Sequence, residues 1–227
     1  MKPLIWVEAI IGAGKTTFAR EMARRLNLRC LEEPVDSNFL LEPFYKDPKK
    51  YAWSMQMLLL HRRYALQQLA SLECSSIGCQ NGAILDRSIA GDRVFAKLHV
   101  AAGNIDPLEF KVYEEAYDIM SCTLFPPTVL VYLDCQPETA YERMTQRGRH
   151  CEKGVPLSYL RELYDGYQEL IRDAERGQTP WAHAVRVAHI HWDLDTVTPE
   201  KWDAVTRTLA NTCGLQYNPI AVVGTKA

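Results

Sequence analysis

A glycine-rich segment near the N-terminus carries a lysine and two threonines in the pattern of a phosphate-binding loop. The segment reads VEAIIGAGKTT over residues 7–17, and the end of the pattern G-x-x-x-x-G-K-[ST] is matched by Gly14, Lys15 and Thr16. Ala9 stands where the pattern has its first glycine. A lysine at this place can reach the β- and γ-phosphates of a nucleotide, and the threonine hydroxyl can ligate magnesium. The segment therefore predicts a site for ATP or another nucleoside triphosphate with Mg²⁺.

The alanine is compatible with a working loop. Residue 9 lies just after a predicted strand, before the chain closes on the phosphate. A side chain is tolerated there if the backbone φ is negative, because only a positive φ favours glycine. The alternative is a chance match in a glycine-rich turn. The residues expected to contact the donor phosphates are Gly12, Ala13, Gly14, Lys15, Thr16 and Thr17.

Two further segments place charged residues where apolar runs end. LEEPVD (31–36) puts Glu33 before a proline, and AILDRS (83–88) ends in Asp86 and Arg87. The carboxyl ends of parallel strands face the ligand crevice of an open α/β sheet. We therefore expect a magnesium ligand in Asp86 and a partner for a carboxylate or phosphate in Arg87. A solvated glutamate pair and a structural ion pair are the alternatives.

A third charged segment, ERMTQRGR (142–149), supplies Arg143, Arg147 and Arg149. On a helix, residues 143 and 147 are about one turn apart and share a face. Arginine binds phosphate oxygens bidentately, so the segment suits a lid over a transferred phosphoryl group. A solvated basic helix is the alternative.

These charged segments need a β-sheet to position them, and the apolar runs of the sequence predict such a sheet. Five runs are predicted to be strands, over residues 4–10, 28–33, 82–87, 128–134 and 185–194. Near-continuous apolar character is typical of parallel strands that are covered on both faces. Helical patterns alternate with them, over residues 16–26, 48–72, 106–122, 139–148, 157–177 and 198–209. The order predicts an α/β fold with a five-stranded parallel sheet flanked by helices.

Composition limits the architecture and the partners. The chain has 227 residues, of which 47% are hydrophobic and 24% charged, and a formal net charge of −2. We expect one domain over residues 1–227, with 215–227 as a loosely held tail. The acidic balance argues against nucleic acid as a partner. Seven cysteines without a CxxC pair and apolar runs too short to cross a bilayer predict a cytoplasmic protein without membrane partners.

Five ordered segments together resemble the deoxyribonucleoside kinase family, in particular its deoxycytidine-, deoxyguanosine- and deoxyadenosine-kinase-like members. In chain order they are IGAGKTT (11–17), EPV (33–35), LEPFYKDPKKYAWSMQ (41–56), DRSIAGDR (86–93) and ERMTQRGRHCEKGVPLSYL (142–160). The resemblance implies a P-loop kinase fold with an arginine-rich lid. The chain departs from the family at Ala9 and Ile10, at Asp86 where glutamate is usual, and at Tyr51 where tryptophan is common.

The resemblance also implies a reaction, the magnesium-dependent transfer of a phosphoryl group from ATP or another NTP to the 5′-hydroxyl of a deoxyribonucleoside. Glu33 matches the family's carboxylate beside that hydroxyl, and Arg87 matches the arginine that holds it. Asp86 matches an acidic magnesium ligand, and either Glu33 or Asp86 is the formal base. The implied catalytic residues are Lys15, Glu33, Asp86 and Arg87, and the implied metal ligands are Thr16 and Asp86. The family is commonly dimeric, so a homodimer is expected.

Matching positions also imply the contacts of the sugar and of the donor. Tyr45 and Glu152 match the pair that holds the 3′-hydroxyl. Asp193 and Asp195 match the region near the donor adenine. The donor phosphates are expected to contact the three arginines of the lid segment.

The base contacts follow in the same way. Gln56 matches the side chain that reads the base with two hydrogen bonds, while Trp53 and Phe95 could form apolar walls or belong to the core. Arg63 lies two helical turns after Gln56, and Asp92 follows the DRS segment. The family's deoxycytidine and purine kinases carry such an Arg–Asp pair. It implies deoxyadenosine, deoxyguanosine or deoxycytidine as substrate over thymidine, whose 5-methyl group it would crowd.

Two other functions remain open at this point. A nucleoside monophosphate kinase of the thymidylate kinase type needs a basic group for the acceptor phosphate, whereas EEPVD (32–36) is acidic there. A non-catalytic nucleotide-binding subunit would lack part of the charged set, yet every expected charge is present.

Overall fold

A parallel sheet forms the centre of the molecule in the computed structural model, which describes residues 1–33, 38–75, 80–149, 152, 154–181 and 185–217. Across these residues the strands are β1 (Leu4–Glu8), β2 (Arg29–Glu32), β3 (Ala83–Asp86), β4 (Val129–Asp134) and β5 (Arg186–His191). Their spatial order is β2-β3-β1-β4-β5, and every neighbouring pair is parallel. The predicted five-stranded parallel sheet is confirmed.

Helices cover both faces of this sheet. They are α1 (Lys15–Leu26), α2 (Leu41–Lys46), α3 (Pro48–Ser75), α4 (Asp92–Ala101), α5 (Pro107–Cys122), α6 (Pro137–Arg147), α7 (Leu157–Glu175) and α8 (Pro199–Cys213). Because β1 is covered on both faces, all of its residues are buried, and this explains its continuous apolar sequence. Trp6, at its centre, packs against Trp181 with ring centroids 5.0 Å apart.

Two helices were not predicted. α2 is short, contains a proline and has no side-chain cap, so its sequence carries little helical signal. α4 begins inside the charged segment DRSIAGDR (86–93), which drew attention to the end of β3 rather than to a helix. Its buried residues Val94, Phe95, Ala96 and His99 nevertheless give it an amphipathic pattern. Both helices contact α3, so together they form the wall of the crevice beside β2 and β3.

Predicted helix starts agree with the observed caps. The Asp106 carboxylate accepts a hydrogen bond from the Leu108 nitrogen at 2.8 Å, and the Glu109 carboxylate accepts one from the Asp106 nitrogen at 3.1 Å. This reciprocal capping contributes about 1 kcal/mol to the start of α5. At α8 the Thr198 hydroxyl accepts from the Lys201 nitrogen at 3.3 Å.

The expected loose tail falls partly on described residues. Within residues 215–217, the Tyr217 hydroxyl donates to Asp203 Oδ1 at 2.7 Å and accepts from Arg25 Nη1 at 3.1 Å. Residues 218–227 lie outside the described part of the chain. Among the described residues, none of the helices has the length and hydropathy of a membrane-spanning segment.

Candidate active site

The glycine-rich loop joins β1 to α1 and turns through two glycines. Gly12 and Gly14 have φ values of 85° and 87°, which favour glycine. A Cβ at residue 12 would also lie 2.2 Å from the Ala140 carbonyl oxygen in α6. Ala9 is buried and is not among the described residues with positive φ. The condition under which alanine is tolerated at the first position is therefore met.

Asp86 and the start of α1 form one corner of the site. The Thr16 hydroxyl donates to Asp86 Oδ2 at 2.5 Å, and Lys15 Nζ lies 3.8 Å from Asp86 Oδ1. Asp86 Oδ1 is buried and accepts no hydrogen bond from the described residues. Burial and the nearby Arg87 lower the pKa of Lys15 to about 8, against the opposing effect of Asp86. An unsatisfied carboxylate oxygen beside a hydroxyl suits a hard divalent cation, so Mg²⁺ fits this corner.

Glu33 lies directly after β2, between two arginines. Arg63 Nε and Nη2 donate to Glu33 Oε1 at 2.9 Å and 2.6 Å. Arg87 Nε lies 3.4 Å from Glu33 Oε2. Burial by itself would raise the pKa of Glu33, but the two guanidinium charges outweigh it and lower this pKa below the usual range. Glu33 is therefore an ionised, partly buried carboxylate at neutral pH.

Arg63 also contacts Asp92, at the start of α4. Its Nη1 donates to Asp92 Oδ1, and the Tyr113 hydroxyl donates to Asp92 Oδ2 at 2.5 Å. Burial raises the pKa of Asp92, although Arg63 opposes this. The structure thus brings Arg63 and Asp92 together, and a single guanidinium links Asp92 to Glu33.

Apart from the buried Asp92 and Tyr113, these groups line one cleft of about 600 Å³. The predicted residues on it are Gly12, Lys15, Thr16, Glu33, Tyr45, Gln56, Arg63, Asp86, Arg87, Phe95, Arg147, Arg149 and Glu152. Gln56 is buried, and its Oε1 has no hydrogen-bond partner among the described residues. A buried amide oxygen without a partner costs about 1–3 kcal/mol, so a ligand that donates to it would be bound favourably.

Trp53 and Asp92 are predicted site residues that do not belong to the described lining of this cleft. Phe95 lies on it, with its ring centroid 4.9 Å from the Arg87 guanidinium, but Trp53 does not. The Trp53 indole donates to the Glu109 carbonyl at 3.1 Å, and its ring packs in a separate cluster around Phe44. Asp92 lies behind Arg63 and is absent from the described lining. An apolar wall is therefore available from Phe95 rather than from Trp53.

The three arginines of the predicted lid have two sets of partners. Arg143 donates from Nη2 to Asp193 and from Nε to Asp195 Oδ2, the latter at 3.0 Å. Arg147 Nη2 lies 2.8 Å and 2.7 Å from the two carboxylate oxygens of Glu152. Residues 143 and 147 therefore do not act on one partner, although they are one turn apart.

The remaining residues that were predicted for the donor site and the lid lie in the glycine-rich loop, at the start of α1 and after α6. Ala13, Gly14 and Thr17 complete the loop and the first turn of α1. Arg149 Nη1 lies 3.5 Å from Glu152 Oε1. Pro34 and Val35 of the EPV segment, and residues 150, 151 and 153 of the lid segment, lie outside the described residues.

Sequence reasoning missed several residues at the site. His99 and Tyr159 line the cleft, with stacked rings whose centroids are 6.2 Å apart, and burial lowers the pKa of His99 to about 4. Arg62 also lines it. Glu8 and Tyr167 lie behind Arg87, in a hydrogen-bonded chain. The one available signal was Glu8, a carboxylate inside the apolar run of β1.

Comparison with known proteins agrees with this geometry. A sequence model described as deoxynucleoside kinase matches residues 5–212. The chain is 36% identical to a deoxyadenosine kinase of Dictyostelium discoideum over 197 residues, which are 87% of this chain and 75% of the relative. It is 33% identical to a deoxyadenosine/deoxycytidine kinase of Bacillus subtilis over 171 residues, 74% of this chain and 76% of the relative.

A solved structure shares the fold. It is the deoxyadenosine kinase from M. mycoides with bound dCTP, which superposes with a TM-score of 0.75 at 23% identity and covers 92% of this chain and 99% of that chain. The family match spans the glycine-rich loop, the cleft and all five strands. The chain therefore belongs to the deoxynucleoside kinase family.

Proposed function

We propose that this deoxynucleoside kinase transfers the γ-phosphoryl group of ATP, or of another nucleoside triphosphate, to the 5′-hydroxyl of deoxyadenosine, deoxyguanosine or deoxycytidine, with purines slightly ahead and thymidine poor. The observation that carries the proposal is the position of Glu33. It is an ionised carboxylate, held by Arg63 and Arg87, in the same cleft as the phosphate-loop residue Lys15.

Glu33 is the proposed acceptor of the proton. Phosphoryl transfer depends mostly on positioning and on charge stabilisation, so the base has to orient the 5′-hydroxyl and take its proton as the new bond forms. The low pKa of Glu33 favours a late proton transfer, because a weak base takes a proton only from an oxygen already bonded to phosphorus. Arg87 stabilises Glu33 and the transferring group, and Lys15 binds the donor phosphates.

Asp86 and Thr16 are the proposed magnesium ligands. Magnesium would supply charge neutralisation between the β- and γ-phosphates. Support comes from Asp86 Oδ1, which is buried beside the Thr16 hydroxyl without a hydrogen bond from the described residues. This assignment leaves Glu33, rather than Asp86, as the base.

The acceptor end of the cleft suits a nucleobase with both donors and acceptors. Gln56 offers a buried amide, and Arg63 lies on the same face of α3. Phe95 provides a ring beside them, and Tyr45 with Glu152 is proposed for the 3′-hydroxyl, since both line the cleft. The buried Asp92 holds Arg63 from behind, so the pair narrows the space for a thymine methyl group.

The proposal also covers the contacts of the phosphate donor, the oligomeric state and the location of the protein. Arg147 and Arg149, on the cleft, are proposed to close on the donor phosphates as a lid, while Arg143 with Asp193 and Asp195 forms the adenine side. We also propose a single domain, a homodimer and a cytoplasmic location.

An acceptor panel tests this proposal. Purified protein is incubated with labelled ATP, Mg²⁺ and each of the four deoxynucleosides, and with dAMP and dTMP in parallel. Phosphorylation of deoxyadenosine, deoxyguanosine or deoxycytidine well above thymidine supports it. Phosphorylation of the monophosphates without that of the nucleosides would show a nucleoside monophosphate kinase instead.

A further inference from the structure

Glu8 is a buried carboxylate near the centre of the sheet that the proposed reaction does not use. It ends β1, and its Oε1 accepts hydrogen bonds from the Ser88 nitrogen at 2.7 Å and the Ser88 hydroxyl at 2.6 Å. Its Oε2 accepts from the Tyr167 hydroxyl at 3.1 Å. Moving a carboxylate from water into the interior is unfavourable unless hydrogen-bond donors replace the lost water, and these donors do so.

Tyr167, on α7, connects this carboxylate to Arg87. Its buried hydroxyl accepts a hydrogen bond from Arg87 Nη1 and donates one to Glu8. A phenol has one proton to donate, and a guanidinium has donors only, so the direction of the chain is fixed from Arg87 through Tyr167 to Glu8. Burial raises the pKa of Tyr167 well above its usual value, and the hydroxyl therefore keeps its proton at neutral pH.

Arg87 is held on three sides. Nη1 contacts Tyr167, Nε lies 3.4 Å from Glu33 Oε2, and the guanidinium lies 4.9 Å from the centroid of the Phe95 ring. Its backbone φ is 77°, in the left-handed region that is unfavourable for a non-glycine residue. Such a conformation persists only where the surrounding contacts fix it, and the Tyr167 hydroxyl is one of these contacts.

Gly91 makes the contact between Glu8 and Tyr167 possible. A Cβ at residue 91 would lie 2.3 Å from Glu8 Oε2 and 2.6 Å from the Tyr167 hydroxyl. The φ of Gly91 is −70°, which alanine adopts without strain. Glycine is thus required here by the two polar side chains rather than by its own backbone conformation.

We infer that Glu8 and Tyr167 are positioning residues of the phosphoryl transfer, which act through Arg87 on Glu33. Neither belongs to the described lining of the cleft, whereas Arg87 and Glu33 both do. Their influence on turnover therefore has to pass through the placement of the Arg87 guanidinium. The inference rests on the proposed role of Glu33 as the base.

Three substitutions interrupt the hydrogen-bonded series from Arg87 through Tyr167 to Glu8 in different ways. Tyr167→Phe removes one oxygen, Glu8→Gln keeps the shape but can present an amide donor to Tyr167, and Gly91→Ala displaces both side chains. Because misplacement of a catalytic group by about 1 Å is costly, each variant is expected to lower kcat about tenfold or more. KM for the best deoxynucleoside should stay within about threefold of the wild-type value, since Glu8, Tyr167 and Gly91 all lie outside the described lining of the cleft. The double variant of Glu8→Gln with Tyr167→Phe should be about as slow as the slower single variant, because both break one chain.

Tyr132→Phe is the matched control. Tyr132 is buried beside Tyr167, with ring centroids 6.2 Å apart, and its hydroxyl accepts from Gln168 at 3.3 Å, outside the chain of contacts. It should keep kcat within about twofold of the wild type. Circular dichroism and the melting temperature establish that each variant is folded, and if Gly91→Ala does not fold, Tyr167→Phe decides.

The outcomes separate this inference from the proposed function. Wild-type phosphorylation in the same assay reports on the function, and the ratio of variant to wild-type kcat reports on the inference. A folded Tyr167→Phe enzyme with wild-type kcat would overturn the inference. An equal loss in Tyr132→Phe would also overturn it, because the effect would then be general to buried hydroxyls.

Discussion

Arg63 donates to Glu33 Oε1 at 2.6 Å through Nη2 while its Nη1 donates to Asp92, so one guanidinium joins a carboxylate on the cleft to a carboxylate buried behind it. Arg63, which is proposed to narrow the base pocket, also lowers the pKa of Glu33 and so helps to keep the proposed base ionised. The proposed base pocket and the proposed base are therefore physically connected through Arg63.

Glu33→Gln should keep nucleotide binding and lose most turnover. The amide preserves shape but cannot accept the proton, and loss of a general base typically costs ~10²- to 10⁴-fold. The measurement is kcat together with nucleotide affinity by calorimetry. Glu138→Gln is the control, because Glu138 lies outside the described lining of the cleft and its carboxylate pairs with Arg161 at 3.0 Å and 2.8 Å. Wild-type kcat in Glu33→Gln would remove Glu33 from the role of base.

Lys15→Ala should abolish phosphorylation, whereas Ala9→Gly should matter little. Lys15 lies on the cleft beside Asp86, while Ala9 is buried with a φ that alanine accepts. We expect kcat/KM of Ala9→Gly to change by less than about tenfold, roughly 1.4 kcal/mol. Lys111→Ala, on the exposed face of α5, is the control for loss of a positive charge. A much larger gain in Ala9→Gly would mean that the native loop is impaired.

The stability of the protein should fall on acidification, partly because of His99. The unfolded chain binds a proton at this residue near its ordinary pKa of 6.5, whereas burial lowers the folded-state pKa to about 4. Between these two pH values the unfolded state binds more protons, so the free energy of unfolding decreases as the pH falls through the window.

His99→Gln removes this contribution. The loss of melting temperature between about pH 7.5 and about pH 4.5 should be smaller in His99→Gln than in the wild type, whatever its stability at neutral pH. His61→Gln, on the exposed side of α3, is the control. Equal losses in the wild type and His99→Gln would contradict the assignment of a buried neutral imidazole.

The sequence predicted the parts of this molecule that depend on local signals. The bounds of β1 and β4 can be predicted to within a few residues, because a strand covered on both faces must be continuously apolar. The glycine-rich loop can be predicted from its motif. α2 was missed because it is short and uncapped. Trp53 was a candidate wall of the base site because its type suits that role, but its direction depends on where α5 packs.

The hydrogen-bonded series Arg87–Tyr167–Glu8 shows why the other contacts of the site could not be predicted from the sequence. Tyr167 is 159 positions from Glu8 and 80 from Arg87 in sequence. Such contacts exist only after α7 has packed against the sheet, and no spacing rule indicates them. Asp86, Arg87 and Glu33 could be predicted because the ends of parallel strands converge at one edge.

Replacing Arg63 and Asp92 together should change base preference. Arg63→Met with Asp92→Ala removes a buried ion pair as a unit, so no unpaired charge is left between these two positions. The space for a 5-methyl group then increases, and the ratio of kcat/KM for thymidine to that for deoxyadenosine should rise. The absolute kcat can fall, since Glu33 loses Arg63 as a partner.

The control for this change is Arg93→Met, which removes an arginine that pairs with Glu114 at the other side of α4. Its thymidine to deoxyadenosine ratio should equal that of the wild type. An unchanged ratio in the Arg63→Met, Asp92→Ala enzyme would show that these residues do not set specificity, as would a wild type that prefers thymidine.

The most direct test of the central claim is the transfer of label from γ-labelled ATP to deoxyadenosine, with the product identified by mass spectrometry. With Mg²⁺ present, we predict labelled deoxyadenosine 5′-monophosphate from the wild type and almost none from Glu33→Gln. 2′,5′-Dideoxyadenosine, which lacks the reacting hydroxyl, should receive no label. Label on dAMP but not on deoxyadenosine, or full transfer by Glu33→Gln, would contradict the account.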